Sequence, residues 1–190
     1  MDRIATLCSR NVHKARELER LLPGWTIETL ERDDWPAETG ASYYENALLK
    51  ARFGRRHVAG WVIGEDSGLE VAALGGRPGL HSARYAPEGP PAIAKLLGEL
   101  KGVDDRRARY VSELVAIAPR GAELRGSGVL EGSIAHEAKG SGGFGYDPVF
   151  VPDGEERTVG ELGDDWKERN SHRARAAVAL REAFDRSGLA

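Results

Sequence analysis

Trp61-Val62-Ile63-Gly64-Glu65-Asp66-Ser67-Gly68 is the stretch on which the fold turns. Trp61–Gly64 is a compact apolar run of strand length, and it breaks into two adjacent carboxylates followed by a small, flexible pair. A buried strand ending in acids is the pattern of an open α/β sheet, where ligands gather beyond the carboxyl ends of strands. Toward the N-terminus, Ile4–Cys8 reads as a second short buried strand that opens into Ser9-Arg10-Asn11. Ala15, Leu18, Leu21 and Leu22 then recur at helical spacing, and Pro23-Gly24 ends that helix. Trp25–Leu30 alternates as a strand, and Ser42-Tyr43-Tyr44-Glu45 has capping-box spacing at the start of a helix predicted to run to about Ala59.

Downstream, Gly75–Gly79 is a turn, and Ile93, Leu96, Leu97 and Leu100 form one face of a short helix. Tyr110–Ala118 alternates, and Arg120-Gly121 turns it into a partner strand from Glu123 to Ile134, an antiparallel hairpin. A glycine-rich loop, Gly140–Gly145, precedes a short strand at Val149–Val151, and an alanine-rich helix closes the chain over Ser171–Arg186. Helices alternating with strands, plus one long hairpin, predict an α/β protein with a mixed sheet. No repeat or linker divides residues 1–190, so one domain is expected.

Composition narrows the function. The single cysteine, Cys8, excludes an intrachain disulfide and points to a reducing compartment, the cytoplasm. No apolar run approaches the ~18 residues of a membrane helix, and the first residues lack signal-peptide character. A net charge of −3 argues against binding duplex nucleic acid, yet leaves room for a local basic pocket that takes one phosphorylated molecule. Glycine, at 24 of 190 residues, is well above the usual ~7% and points to functional loops.

Five segments carry candidate chemistry. Ser9, Asn11 and Lys14 surround a helix N-terminus, where unpaired N–H groups and a partial positive charge attract anions; plain helix capping is the alternative. Glu65 and Asp66 can hold Mg²⁺ or orient water, or else form an acidic turn closed by an Asx-type hydrogen bond. Glu38 can add an oxygen ligand, and Lys50 lies one helical turn beyond Asn46; both also read as solvated surface charges. In Gly142–Pro148, Phe144, Gly145, Tyr146 and Asp147 expose an aromatic ring and backbone suited to a flat heterocycle, or pack a tight turn into the core. Lys167, His172 and Arg173 can meet phosphate or base, although positive charge at a helix start opposes the macrodipole. His13, His57, His81 and His136 lack metal-ligand spacing.

Together and in this order, Glu38-Thr39-Gly40, Glu45–Ala51, Glu65–Leu69, Leu74–Gly79, Ser82–Tyr85, Gly142–Pro148 and Ser171–Arg173 resemble the inosine triphosphatase family over nearly the whole chain. The resemblance implies a long central mixed sheet with flanking helices, two lobes around a nucleotide cleft, and a homodimer. It also implies Mg²⁺-dependent hydrolysis of the purine nucleoside triphosphates ITP, dITP and XTP to monophosphate and pyrophosphate. By that likeness Asp66 is the general base and a metal ligand, with Glu38 and Glu65 helping to hold Mg²⁺. Ser9, Asn11, Lys14 and Lys50 hold the triphosphate with Ser67 nearby. Phe144, Gly145, Tyr146 and Asp147 frame the base, and Lys167, His172 and Arg173 reach base or phosphate. The chain departs from the family pattern at Arg10, where the family has Gly, at Glu65, where Asp is commoner, and in the loop Ala86–Pro91. Two rival functions fit the same motifs: a nucleotide sensor without turnover, and a triphosphate pyrophosphatase with another base preference.

Overall fold

The structure, a computed structural model, describes residues 3–9 and 11–189. Among these, the strands β1 (Arg3–Cys8), β2 (Trp25–Thr29), β3 (Trp61–Val71), β4 (Arg107–Ile117), β5 (Glu123–Ile134) and β6 (Phe150–Pro152) form one sheet in the order β2-β1-β3-β4-β5-β6. The helices are α1 (Val12–Leu21), α2 (Tyr43–Arg55), α3 (Pro90–Glu99), α4 (Val159–Leu162), α5 (Asp164–Asn170) and α6 (His172–Ser187). β1 pairs in parallel with both β2 and β3, while β5 and β6 run antiparallel. Parallel neighbours need crossovers, and α1 and α2 supply them. The fold is α/β with a mixed sheet, as the alternation predicts. No helix among the described residues is long and apolar enough to cross a membrane.

The chain divides into two compact units. One holds Met1–Asp66, Ser112–Gly128 and His172–Ala190; the other holds Ser67–Val111 and Val129–Ser171. In the first, strand residues sort onto two faces by the period of two. Ala5, Leu7, Ile63, Leu114 and Ala116 pack with Ala15 and Leu18 of α1 and Ala176, Ala177 and Leu180 of α6. Cys8, Val62, Val115 and Ile117 pack with Ala47 and Ala51 of α2 on the other face. Each fully buried Leu in such a layer contributes about 1.5–3 kcal/mol. Glycines bring the helices close: a Cβ on Gly64 would lie 1.9 Å from the Ala47 carbonyl oxygen, and one on Gly128 would lie 2.1 Å from that of His172. The second unit packs Leu69 and Val71 with Ile93 and Leu96 of α3, Leu130 and Ile134 of β5, and Tyr146 and Phe150.

Several boundaries differ from the sequence reading. β3 does not end at Gly64 but continues through the acidic pair to Val71, because Leu69 and Val71 find a second core beyond it. No acidic turn forms there. β4 begins at Arg107 and, from Tyr110 onward, is buried continuously rather than alternately, since helices cover both faces of the sheet at Leu114 through Ile117. Its turn into β5 is closed by the Ala118 N–H on the Ala122 carbonyl (2.9 Å), with Gly121 at φ +92°. α2 stops at Arg55, where the Arg55 guanidinium takes the carbonyls of Val58 and Gly60. Val149 belongs to a 3₁₀ turn, and β6 starts at Phe150. Helices α4 and α5 lie where the sequence reading places no element; their signals are the Thr158/Glu161 capping box and the acids Asp164 and Asp165 in a first turn.

Candidate functional site

The first unit gathers charge on both faces of β3. Asn11 caps α1 by accepting from the N–H groups of His13 (2.9 Å) and Lys14 (3.3 Å), and Ser9 Oγ accepts from the Asn11 N–H (3.2 Å). Capping therefore explains Ser9 and Asn11 locally. It also aims Lys14, whose Nζ lies 2.5 Å from Glu65 Oε2. Arg173, in the first turn of α6, donates from Nη2 to Glu65 Oε1 (3.0 Å) and from Nη1 to Glu17. Ser112 Oγ stands 3.5 Å from the same Glu65 oxygen. Glu65 is fully buried and Arg173 is 1% exposed. Burial opposes ionisation of Glu65, but the Lys14 ammonium and the Arg173 guanidinium overcome it and hold this carboxyl well below the usual range. Two carboxylates thus offset a cation that the helix macrodipole disfavours.

Asp66 faces α2. Its Oδ1 accepts from Lys50 Nζ (2.8 Å) and its Oδ2 from Asn46 Nδ2 (3.2 Å), and the Asn46 carboxamide oxygen accepts from the Gly40 N–H (2.8 Å). Lys50 Nζ also pairs with Glu38 Oε1 (2.6 Å) and donates to the Glu65 carbonyl (3.0 Å). Burial, outweighing the Lys50 charge, pushes the Asp66 carboxyl up from its ordinary value. Asn46 and Lys50 share a helix face, and the Gly64 contact presses that face onto β3.

The second unit holds the glycine-rich loop. Asp147 accepts from the Phe144 N–H (2.8 Å), from Lys167 Nζ (2.7 Å) and from Tyr110 Oη (3.4 Å). Lys167 Nζ also lies 4.1 Å from the centre of the Phe144 ring, inside cation–π range. Only glycine fits at 143: φ is +72°, and a Cβ would meet Asp147 Oδ2 at 2.1 Å. Phe144 and Gly145 are half-buried. Tyr146 instead packs into the core, with its hydroxyl on the Ser82 carbonyl (3.3 Å), and burial raises its phenol to about 12. Ser67, half-buried, follows Asp66 in β3 and opens the second unit.

The structure brings Lys14, Glu65 and Arg173 together, and separately Glu38, Lys50 and Asp66. It does not bring Glu65 to Glu38 and Asp66, because consecutive strand residues face opposite sides. Among the described residues, no three Asp, Glu, His or Cys side chains gather as a metal cage. His172 is buried at the start of α6. Arg10, the sequence departure beside the cap, lies outside the described residues. Glu17, Asn46, Ser112 and Tyr110 join the site groups without having been singled out as site residues. For Asn46 a signal existed, since it stands one turn before Lys50; Glu17 carried none.

Fold and site define an α/β protein that pairs buried carboxylates with ammonium and guanidinium groups on both faces of a central strand. The chain belongs to the Ham1 family, whose family model matches residues 5–183. It is 40% identical over 188 residues to the dITP/XTP pyrophosphatase of Synechococcus sp. (strain CC9311), covering 97% of this chain and 91% of that protein. It is 44% identical over 193 residues to the dITP/XTP pyrophosphatase of Methylococcus capsulatus, covering 95% of each. The solved structure of the Staphylococcus aureus Ham1 protein superposes with a TM-score of 0.83 at 34% identity, over 98% of this chain and 100% of that one. The dITP/XTP pyrophosphatase of Mycobacterium abscessus gives 0.72 at 38% identity, over 93% and 97%.

Proposed function

We propose that this protein hydrolyses the deaminated purine nucleoside triphosphates dITP, ITP and XTP to monophosphate and pyrophosphate, removing them from the nucleotide pool. The observation that carries the reading is the Glu38–Lys50–Asp66–Asn46 cluster on one face of β3, which holds a buried carboxyl at a raised pKa beside ammonium charge. A raised carboxyl is a better base than a solvated one, so Asp66 is assigned to take the proton of the attacking water. Lys14 and Lys50 counter the roughly four charges of a triphosphate, and the Ser9 hydroxyl and the Asn11 carboxamide N–H add donors at the α1 N-terminus. Arg173 and Glu65, both buried and paired, keep Lys14 in place.

Glu38 and Asp66 share one ammonium, so that position already tolerates a cation between two hard oxygen donors. They fit Mg²⁺, which takes one or two carboxylates and fills its shell with water and phosphate oxygens. When bound, Mg²⁺ supplies positive charge to the reacting phosphoryl group. Glu65, whose oxygens serve Lys14, Arg173 and Ser112, is assigned to electrostatic support rather than ligation.

In the second unit, Phe144 offers a stacking face, while Lys167 and the loop N–H groups offer donors to a purine edge. Hypoxanthine and xanthine present an acceptor oxygen at C6 where adenine presents an amino donor. Donor facing donor with dATP leaves buried polar groups unpaired, a mismatch that costs a factor of ~10⁴ or more in sites built around such bonds. The reading includes a homodimer, on the family resemblance alone, and a reducing compartment, the cytoplasm, on the single cysteine.

A panel of dITP, XTP, dUTP, dATP and dGTP, assayed for pyrophosphate against phosphate release, tests the proposal. Pyrophosphate release favouring dITP and XTP supports it. Preference for dUTP assigns another base class, and tight dITP binding without turnover makes the protein a sensor.

A further inference from the structure

Thr158 opens α4, and its one hydroxyl joins two separate stretches of the second unit. Oγ1 donates to the Lys139 carbonyl (2.7 Å) and accepts from the Glu161 N–H (3.2 Å), while the Glu161 carboxylate returns to the Thr158 N–H (2.9 Å). Lys139 stands just before the glycine-rich loop, and its own N–H goes to the carbonyl of Pro148, just after that loop (2.8 Å). Beside this bond the Gly142 N–H donates to the Gly160 carbonyl (3.0 Å). Backbone meets backbone here with no room for a side chain. A Cβ on Gly140 would lie 2.2 Å from the Gly160 carbonyl carbon, and one on Gly160 would lie 2.9 Å from the Lys139 oxygen. Thr158 is 1% exposed, so no water replaces its hydroxyl cheaply.

The pin has two arms. One is the loop that carries Phe144 and ends at Asp147. The other runs from α4 through Gly163 into α5, which carries Lys167. The arms meet again where Lys167 pairs with Asp147 and overlies the Phe144 ring. Thr158 touches none of these groups, yet it sets where the arm bearing the ammonium starts relative to the arm bearing the ring.

We propose that Thr158 is a positioning residue for base selection: its hydroxyl fixes the spacing between the Phe144 ring and the Lys167 ammonium, and through it the preference for a 6-oxo over a 6-amino purine. This rests on the assignment of that pair to the base. Valine keeps the shape of threonine but leaves the Lys139 carbonyl without its donor; serine keeps the hydroxyl.

The test uses full-length wild type, Thr158→Val, Thr158→Ser and Phe144→Ala, with steady-state kinetics on dITP and dATP and inhibition by tripolyphosphate, which has a tail and no base. Thr158→Val is expected to raise KM for dITP about tenfold with kcat within about threefold, the signature of lost binding shared by ground and transition states. It should narrow the dITP-over-dATP preference and leave tripolyphosphate inhibition unchanged, and Thr158→Ser should restore wild-type values. An unchanged KM and preference in Thr158→Val overturns the proposal. So does an equal loss for tripolyphosphate, which would mark a merely structural role. Should the valine variant not fold, Gly160→Ala presses on the same Lys139 carbonyl with the hydroxyl kept; it is expected to give the same KM-selective loss, and wild-type KM there is equally fatal. Phe144→Ala separates the two failures: if it leaves dITP binding intact, the base assignment falls; if it weakens dITP while Thr158→Val does not, only the role of Thr158 falls.

Discussion

Glu65 and Asp66 are consecutive in β3, and their side chains leave the sheet on opposite sides. Glu65 meets Lys14 of α1 and Arg173 of α6, whereas Asp66 meets Asn46 and Lys50 of α2. Their ionisation also runs in opposite directions, although each carboxyl feels the other's ammonium. The cations around Glu65 drive its carboxyl down, while burial drives that of Asp66 up. Two adjacent acids of nearly the same intrinsic strength thereby titrate in opposite directions, which under the proposed function makes Glu65 a fixed counter-charge and Asp66 the base.

Asp66→Asn is expected to preserve the fold and lower dITP turnover by at least ~10²-fold, the usual worth of a positioned base. Because the base form is the active one, kcat/KM should rise with pH on its acid limb; burial raises the pKa of that limb in the metal-free protein, and a bound cation moves it back down, so raising Mg²⁺ should shift the limb to lower pH. A pH–rate profile of the wild type checks the limb. Near-normal turnover in the asparagine variant would remove Asp66 from its role.

The facing of β3 predicts that the carboxylates divide in metal binding as well. With Mn²⁺ as the probe in calorimetric titrations, Glu38→Gln and Asp66→Asn should each weaken binding by at least the roughly tenfold that loss of even an outer-shell partner costs. Glu65→Gln should leave it within a small factor. Equal weakening by all three variants would contradict the facing of β3.

Glu65 carries a stability consequence of definite sign. A carboxyl held below its unfolded value of about 4.3 stabilises the fold above that pH, and the contribution is lost as pH falls through the lowered folded value. Glu65→Gln leaves Lys14 and Arg173 without this partner, at a cost of about 3 kcal/mol at neutral pH. For a chain of this size that lowers the melting temperature by roughly 6–12 °C. Calorimetric scans at neutral and acidic pH should show the gap between wild type and variant closing as the pH drops; a gap that stays constant argues against the pairing.

Gly64→Ala places a Cβ 1.9 Å from the Ala47 carbonyl oxygen and 2.6 Å from the Ala51 nitrogen, backbone atoms of α2 that have little freedom to retreat. Overpacking of this kind costs about 1–3 kcal/mol or more, and here it also lifts Asn46 and Lys50 away from Asp66, so activity should fall with stability. Gly60→Ala, with open space around it, is the control and should stay within about 0.5 kcal/mol in denaturant titrations. Matching behaviour of the two variants would remove the close approach of α2 as the device that seats the site.

The amino-acid order by itself determined the alternation of helices and strands, the hairpin ending at Ile134 and the family motifs, because each is written in short-range periodicity or turn chemistry; it left the cap of the first helix open between Ser9 and Asn11. It also placed Lys50 one turn from Asn46. Only the tertiary structure decided which groups meet. That Glu65 turns toward Arg173, 108 residues away in the chain, follows from α6 seating on the small residues of β5, as the Gly128 contact with His172 shows. The run of β3 past its acids was likewise hidden, since an isolated Glu-Asp-Ser-Gly favours a turn until a second core claims Leu69 and Val71. Local sequence sets what each segment can become, but the partners of a buried charge are chosen by packing at long range, where desolvation makes an unpaired ion too costly to keep.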